Sequence, residues 1–384
     1  MTTAASLQAT GAGLLAGLVG FASTFAVVLQ GLASAGASPA EAASGLAVVT
    51  AAMGLSGIAL SVATRLPVSV AWSTPGAALL AASGAPEGGF AAAVGAFVVA
   101  GVLVVAAGLF RPFGRAVASI PAPVANAMLA GVLFPLCLAP VRAAAEVPLL
   151  ALPMLAAWAV AARISPLAAM PAALAAAVVG VALAVPLSPL GAVVAAPVLV
   201  PPVFPASALI GIALPLFLVT MASQNIPGIA VLAANGYRPN PGPLFTATGL
   251  ASIAAAPFGA HAVNLAAITA AICAGPGAHP DPARRWWAAT VAGLVYLVFG
   301  VFAAGVTGLA ALAPPVLVQA VAGLALLAPL ASALVAGLAE PKDREAAIIA
   351  FAVSASGVTI GGVGAAFWGL VAGVTLRALA RVGR

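Results

Sequence analysis

The chain has 384 residues, of which 64% are hydrophobic and only 5% charged, with a formal net charge of +6. A soluble domain carries about 25% charged residues, so this composition excludes a water-soluble fold and points to an all-α polytopic membrane protein. No run of short alternating segments suggests a β-barrel, and in a membrane protein basic residues mark cytoplasmic loops rather than nucleic acid.

A spanning helix needs roughly 20 apolar residues. Cutting at charges and Gly/Pro clusters predicts fourteen segments, at 10–36, 41–64, 67–84, 88–110, 119–140, 147–162, 166–186, 207–234, 243–256, 257–275, 284–308, 312–339, 345–359 and 361–380. The N-terminus lacks a basic n-region and a cleavage site, so the first apolar run is read as a span and not as a signal peptide. The uncharged, Pro-rich stretch LSPLGAVVAAPVLVPPVFPA, 187–206, reads as a connector between two halves. With the N-terminus inside, cytoplasmic loops and tail hold Arg65, Arg111, Arg115, Arg163, Arg238, Arg284, Arg285, Lys342, Arg344, Arg377, Arg381 and Arg384, leaving only Arg142 outside. That bias orients both termini to the cytoplasm. Trp286 and Trp287 fit an interfacial aromatic belt, and Asp281-Pro282 before them reads as an N-cap followed by Pro at the first helical position. Cys137 and Cys273 stand alone in apolar runs, as packing residues, with no metal or disulfide spacing.

The sequence repeats. FASTFAVVLQGLASAGASP, 21–39, aligns with MASQNIPGIAVLAANGYRP, 221–239, matching Ala22-Ser23 with Ala222-Ser223, Leu32-Ala33 with Leu232-Ala233, Gly36 with Gly236 and Pro39 with Pro239. PVSVAWSTPGAALLAASG, 67–84, pairs with PFGAHAVNLAAITAAICAG, 257–275: each opens with Pro, carries polar residues in the middle and ends at Gly. In the topology above the two enter from opposite sides, so the repeat is inverted. Paired interrupted segments of this kind point to a transporter's substrate site, because broken backbone is tolerated in a membrane only where it lines a cavity or is buried. Two facing half-helix N-termini, each with about half a positive charge, would hold a small anion without Arg or Lys. The plain alternative for each segment is a Pro-kinked packing helix.

VAWSTPGAALL, ASQNIPGIAVL, FGAHAVNLAAITAAICAGPGAHPDPARRWWAA and GAAFWGLVAGV resemble the benzoate/proton symporter (BenE) family of bacterial inner membranes. The resemblance covers nearly the whole chain, and the family is related in fold to uracil, xanthine and ascorbate permeases. It implies two inverted seven-segment repeats. A core domain would comprise 1–118 and 207–310, and a gate domain 119–206 and 311–384. Segments 3 and 10 would each begin as a short strand and continue as a half-helix, with substrate between them against segments 1 and 8. It also implies a homodimer through the gate domain. The related nucleobase permeases carry acidic residues in segments 8 and 10. Here Gln224, Asn225, His261 and Asn264 stand instead, and all seven acidic residues fall in loops or at span ends. A site without carboxylates suits an anion and leaves no acidic proton carrier.

The candidate binding residues are Ser69, Trp72, Ser73, Thr74 and Gly76 at the first break, and His261 and Asn264 at the second, with Thr24, Gln224 and Asn225 from segments 1 and 8. The hydroxyls would bind a carboxylate and Trp72 an aromatic ring, or they serve local backbone and packing. His261 is the candidate for proton coupling, since an imidazole with a pKa near ~6.5 titrates at physiological pH; otherwise it is a satisfied structural residue and the proton rides on the substrate. Asn264 would open and cap the second half-helix or bind substrate. Phe21, Phe25 and Phe258 line the apolar part of the pocket or pack the core. His279 with Asp281 is too sparse a set for a metal, and no cofactor is expected. No GxSxG or HExxH stands for an enzyme. The expected function is a secondary active transporter taking up benzoate or a close aromatic carboxylate with a proton. The alternative is an exchanger or channel-like pathway for another small organic or inorganic anion.

Overall fold

The computed structural model describes residues 3–110, 112–113, 121–184 and 193–382. Arg111, Arg115 and Arg384, the ends of the spans read at 119–140 and 166–186, and the connector residues 187–192 lie outside the described residues. The chain order is α1 Thr3–Ala22, α2 Phe25–Ser34, α3 Pro39–Thr64, β1 Val70–Trp72, α4 Thr74–Ser83, α5 Gly89–Leu109, α6 Ala122–Cys137, α7 Ala139–Glu146, α8 Pro148–Ile164 and α9 Pro166–Ala184. After the connector come α10 Ala206–Ala234, α11 Pro241–Ala255, β2 Val263–Leu265, α12 Ile268–Ala274, α13 Trp286–Val301, α14 Ala303–Leu312, α15 Pro315–Leu338, α16 Arg344–Ala355 and α17 Ala365–Val382. Among the described residues seven helical spans are long and apolar enough to cross a membrane, or eight if α13 and α14 count as one. The protein is a multi-pass helical membrane protein.

Local chemistry sets the boundaries. Ser38 and Glu41 form a reciprocal capping box at the start of α3, with Pro39 in its first turn. The ends of α2 and α10 are built alike. Gly36 and Gly236 sit at φ 98° and 87°, and the next residue's N–H reaches back to Leu32 O in one case and Leu232 O in the other, at 3.0 and 3.1 Å. This is the six-to-one bond of a Schellman cap, in which glycine carries the left-handed turn without a Cβ clash. The Asp281 carboxylate caps the turn Pro282–Arg284 through Ala283 N, as read from the sequence.

Three expected spans are revised. The run 10–36 is not one helix: it breaks at Ser23-Thr24, with Thr24 at φ −139° and ψ 1°. The run 284–308 bends by 58° between α13 and α14, where Phe302 leaves helical geometry at φ −90° and ψ 11°. The run 345–359 ends at Ala355, and Gly357, Gly361 and Gly362 at positive φ turn the chain through a small Ile360–Val363 bridge into α17. Only the Phe302 bend lies among wholly apolar residues; Ser23-Thr24 is a short polar pair inside an otherwise apolar run, and the third boundary falls in a Ser/Gly-rich stretch a few residues before the predicted one.

Helix packing falls into two groups. In one, α13 lies on α3 and α1, α11 on α5 and α3, and α2 on α4; in the other, α15 and α16 lie on α6, α17 on α16, and α9 on α8. Small residues let the backbones close. A Cβ on Gly54 would stand 2.7 Å from Gly293 O, and one on Gly293 2.8 Å from Gly54 O. Gly54→Val is therefore expected to destabilise the protein by about 1–3 kcal/mol through overpacking, read as a lower melting temperature in detergent. The second group contains a buried ion pair: Arg377 Nε donates to Asp343 Oδ1 at 2.7 Å, with the Asp343 side chain 4% exposed and that of Arg377 18%. Removing Arg377 would take a charge-assisted hydrogen bond from this buried carboxylate, worth about 1.5–3 kcal/mol. Arg377→Met is expected to cost that much, checked by the same melt.

The described part of the connector is no free linker. Val198 N donates to Ser44 Oγ, Val200 N to Pro257 O and Val203 N to Ala91 O, so this stretch is strapped across the first group. Cys137 and Cys273 are buried free thiols, as expected.

Candidate functional site

The two interrupted segments meet. β1 and β2 pair antiparallel, Val70 opposite Leu265, Ala71 opposite Asn264 and Trp72 opposite Val263. Two further bonds extend the ladder, Ser73 N to Ala262 O at 3.1 Å and Ala266 N to Ser69 O at 2.9 Å. Strand pairing satisfies backbone that a membrane cannot. Hydroxyls on neighbouring helices satisfy more: Ser61 donates to Val68 O, and Ser252 Oγ both accepts from Val263 N and donates to Val263 O.

Four irregular segments converge here. α1 and α2 break at Ser23-Thr24, and α10 carries a π-turn over Met221–Asn225; such bulges often mark functional sites. Trp72 Nε1 donates to Thr24 Oγ1 at 2.9 Å. Ser73 is the N-cap of α4: its Oγ accepts from Gly76 N at 3.1 Å and lies 2.8 Å from Thr220 Oγ1. Asn225 Oδ1 accepts from Leu265 N at 2.9 Å, so this amide holds β2 in place. His261 Nε2 lies 3.0 Å from Ser73 O. A carbonyl only accepts, so Nε2 carries the proton of that bond, while Nδ1 is buried without a partner among the described residues. Trp72, Ser73, Asn225, His261 and Asn264 are all at most 2% exposed.

Several expectations change in detail. Asn264 does not cap the second half-helix. It lies in β2, its Nδ2 donates to Leu265 O at 2.7 Å, and α12 starts only at Ile268, after an Ala267 that caps nothing. Gly76 does not open a path for a ligand: a Cβ there would meet Leu216 at 2.5 Å and Ser73 Oγ at 2.7 Å. Ser69 is buried, its Oγ without a hydrogen-bond partner among the described residues. The polar groups that keep accessible surface are Thr24, Thr74 and Gln224, joined by Ser23 and Ser223, which the sequence reading matched across the repeat but did not assign to the site. Thr220, the partner of Ser73, was also missed; the signal was a lone hydroxyl one helical turn before Gln224. The N-terminus of α4 thus presents hydroxyl and amide donors, with no charged side chain among the groups just named.

The loop arginines play unlike roles. Arg284 forms a surface pair with Asp281 at 3.3 Å. Arg285 is buried and donates to Ala274 O, His279 O and Pro280 O, tying off the C-terminal end of α12. Arg65 stacks on Trp286, 4.4 Å from the ring centroid. His279 Nδ1 accepts from Asp281 N at 2.9 Å, a turn contact.

The fold is similar to that of a solved structure, the transmembrane domain of a cyanobacterium bicarbonate transporter, BicA. The match has a TM-score of 0.61 at 16% identity and covers 99% of this chain and 98% of that one. The class is therefore a membrane protein of transporter fold. The profile described as Benzoate membrane transport protein (BenE) matches residues 3–379. The chain is 41% identical over 364 residues to Inner membrane protein YdcO of Escherichia coli, covering 94% of this chain and 93% of that protein. It is 34% identical over 371 residues to a Benzoate membrane transport protein of Acinetobacter baylyi, covering 96% and 94%. This protein belongs to the BenE family of membrane transporters.

Proposed function

We propose that the protein imports benzoate, or a close aromatic carboxylate, together with a proton by alternating access across the bacterial inner membrane, with both termini cytoplasmic. The observation that carries this reading is the uncharged crossing, where Thr24, Thr74 and Gln224 keep accessible surface beside the N-cap of α4. The substrate's carboxyl oxygens accept from the Thr74 hydroxyl, the Gln224 amide and the α4 terminus, whose partial positive charge favours an anion. Trp72 and Phe21 supply apolar surface beside it. Ser69, Ser73, Gly76, Asn225, His261 and Asn264 shape and brace the site from behind. His261, which bridges the two breaks, is the candidate proton carrier on the protein if the proton does not travel on the substrate.

In this reading the chain is fourteen segments in two inverted repeats. The core, 1–118 with 207–310, moves against the gate, 119–206 with 311–384; the two packing groups support this division, except that the connector residues 198–203 are bonded to the core side. One proton with one monoanion moves no net charge. Labelled benzoate in proteoliposomes should accumulate under an imposed pH gradient, stop accumulating with a protonophore, and change little under an imposed voltage, after subtraction of protein-free vesicles. No protein-dependent uptake would remove benzoate as substrate.

A further inference from the structure

A cavity of about 230 Å³ lies against α1, α2, α9, α14 and α15, and a second of about 520 Å³ adjoins it, lined by α2, the start of α3, α14 and α15. Ala310, Ala313 and Val318 line both, so the two adjoin along a shared wall, as parts of one region. Its inner end is apolar and aromatic. Phe21 stacks on Phe299 at 4.4 Å and on Phe25 at 5.7 Å between centroids. Its outer part carries the Gln30 and Gln319 amides and the Ser34 and Thr307 hydroxyls. Among the described residues, no Lys, Arg, His, Asp or Glu lines either part.

We infer that this space is a binding site for the un-ionised form of an aromatic carboxylic acid, separate from the crossing, so that the symported proton enters on the substrate itself. The ligand class rests on the transport reading above; the charge state rests on the cavity. A dry apolar cavity of about 150 Å³ accepts a benzene, so the inner end has room for an aromatic ring. A carboxylate would lose its water there and meet no cation, a large penalty. A neutral carboxyl needs one donor and one acceptor, and each primary amide offers both. Gln30 Oε1 has no hydrogen-bond partner among the described residues, and a turn of its amide would let an acid O–H fill that vacancy. The ring of Phe21, 5.5 Å from Trp72, then stands between the cavity and the crossing. The proton balance is simple: RCOO⁻ + H₃O⁺ gives RCOOH + H₂O on the side of entry, and the reverse occurs in water on release. At pH 7 an acid with a pKa of about 4 is un-ionised in roughly one molecule per thousand.

The test is equilibrium binding to the purified full chain with three probes: benzoate, the neutral benzamide and the permanently charged benzenesulfonate. Benzamide is expected to bind with an affinity flat from pH 5 to pH 7. The part of benzoate binding that Gln30→Leu removes should weaken about tenfold per pH unit over that range, following the neutral fraction, while binding of the anion at the crossing stays flat. Gln30→Leu should weaken benzamide tenfold or more and leave benzenesulfonate, a probe of the crossing, unchanged; that retained binding shows that the variant is folded. The inference is overturned if benzamide does not bind saturably, as when a lipid chain alone fills the space. It is also overturned if the Gln30-dependent part of benzoate binding is flat with pH, or if Gln30→Leu weakens benzamide and benzenesulfonate alike or neither. Proteoliposome uptake reads the transport assignment separately, so loss of benzoate uptake with the benzamide result intact sinks that assignment and leaves the cavity standing.

Discussion

Thr74→Val is expected to lower benzoate uptake by roughly 10- to 100-fold while leaving the melting temperature within about 2 °C of the parent. The Thr74 hydroxyl keeps accessible surface at the start of α4, and a hydrogen bond to a charged group is worth about 1.5–3 kcal/mol. Valine keeps the shape and removes the donor. Ser73→Ala is the contrasting change. Ser73 Oγ is buried, bonded to Gly76 N and Thr220 Oγ1, so its loss should lower stability by about 1 kcal/mol as a lost N-cap. If Thr74→Val unfolds the protein, or leaves uptake unchanged, Thr74 is a packing residue and the crossing needs another donor.

His261 separates bracing from proton transport. His261→Ala strips one donor from Ser73 O in a fully buried setting. Ser73 O keeps its bond from Ala77 N, so the cost is one lost hydrogen bond, about 1 kcal/mol, plus that of the void left by the ring, and the yield of folded protein should fall. His261→Gln retains an N–H that can reach the same carbonyl but titrates nowhere near neutrality. It is expected to preserve accumulation driven by a pH gradient. Folded His261→Gln that equilibrates benzoate without accumulating it would instead place the coupling proton on the imidazole.

Much of this was legible in the sequence for identifiable reasons. The Gly36 and Gly236 matches had meaning because one residue type suits a left-handed cap, and both caps form. The Pro-led segments at 67–84 and 257–275 gave away their interruption because Pro and small polar residues contradict a continuous membrane helix, and β1 and β2 form there. The break after Ala22 was hidden, since no Pro or Gly marks it; it rests on Thr24 receiving the Trp72 indole from a segment 48 residues away. The division of labour at the crossing was hidden as well. Asn225 and Gln224 are adjacent amides in the sequence, yet one is turned inward to Leu265 N and the other keeps surface. Arg284 and Arg285 look equivalent as loop cations, and only packing makes the second a buried clamp on three carbonyls.

The pairing of Val70 with Leu265 also bears on how the chain is made. A membrane helix satisfies its own backbone as it leaves the ribosome, whereas β1 must wait for a strand that lies about half the protein's length downstream. At translation rates of about 5–20 residues per second, that delay is on the order of ten to forty seconds. During this time the stretch around Val70 has unmet hydrogen bonds and no lipid-compatible fold of its own. The first half is therefore expected to complete its fold only once β2 arrives, with the helices after β2 still to follow.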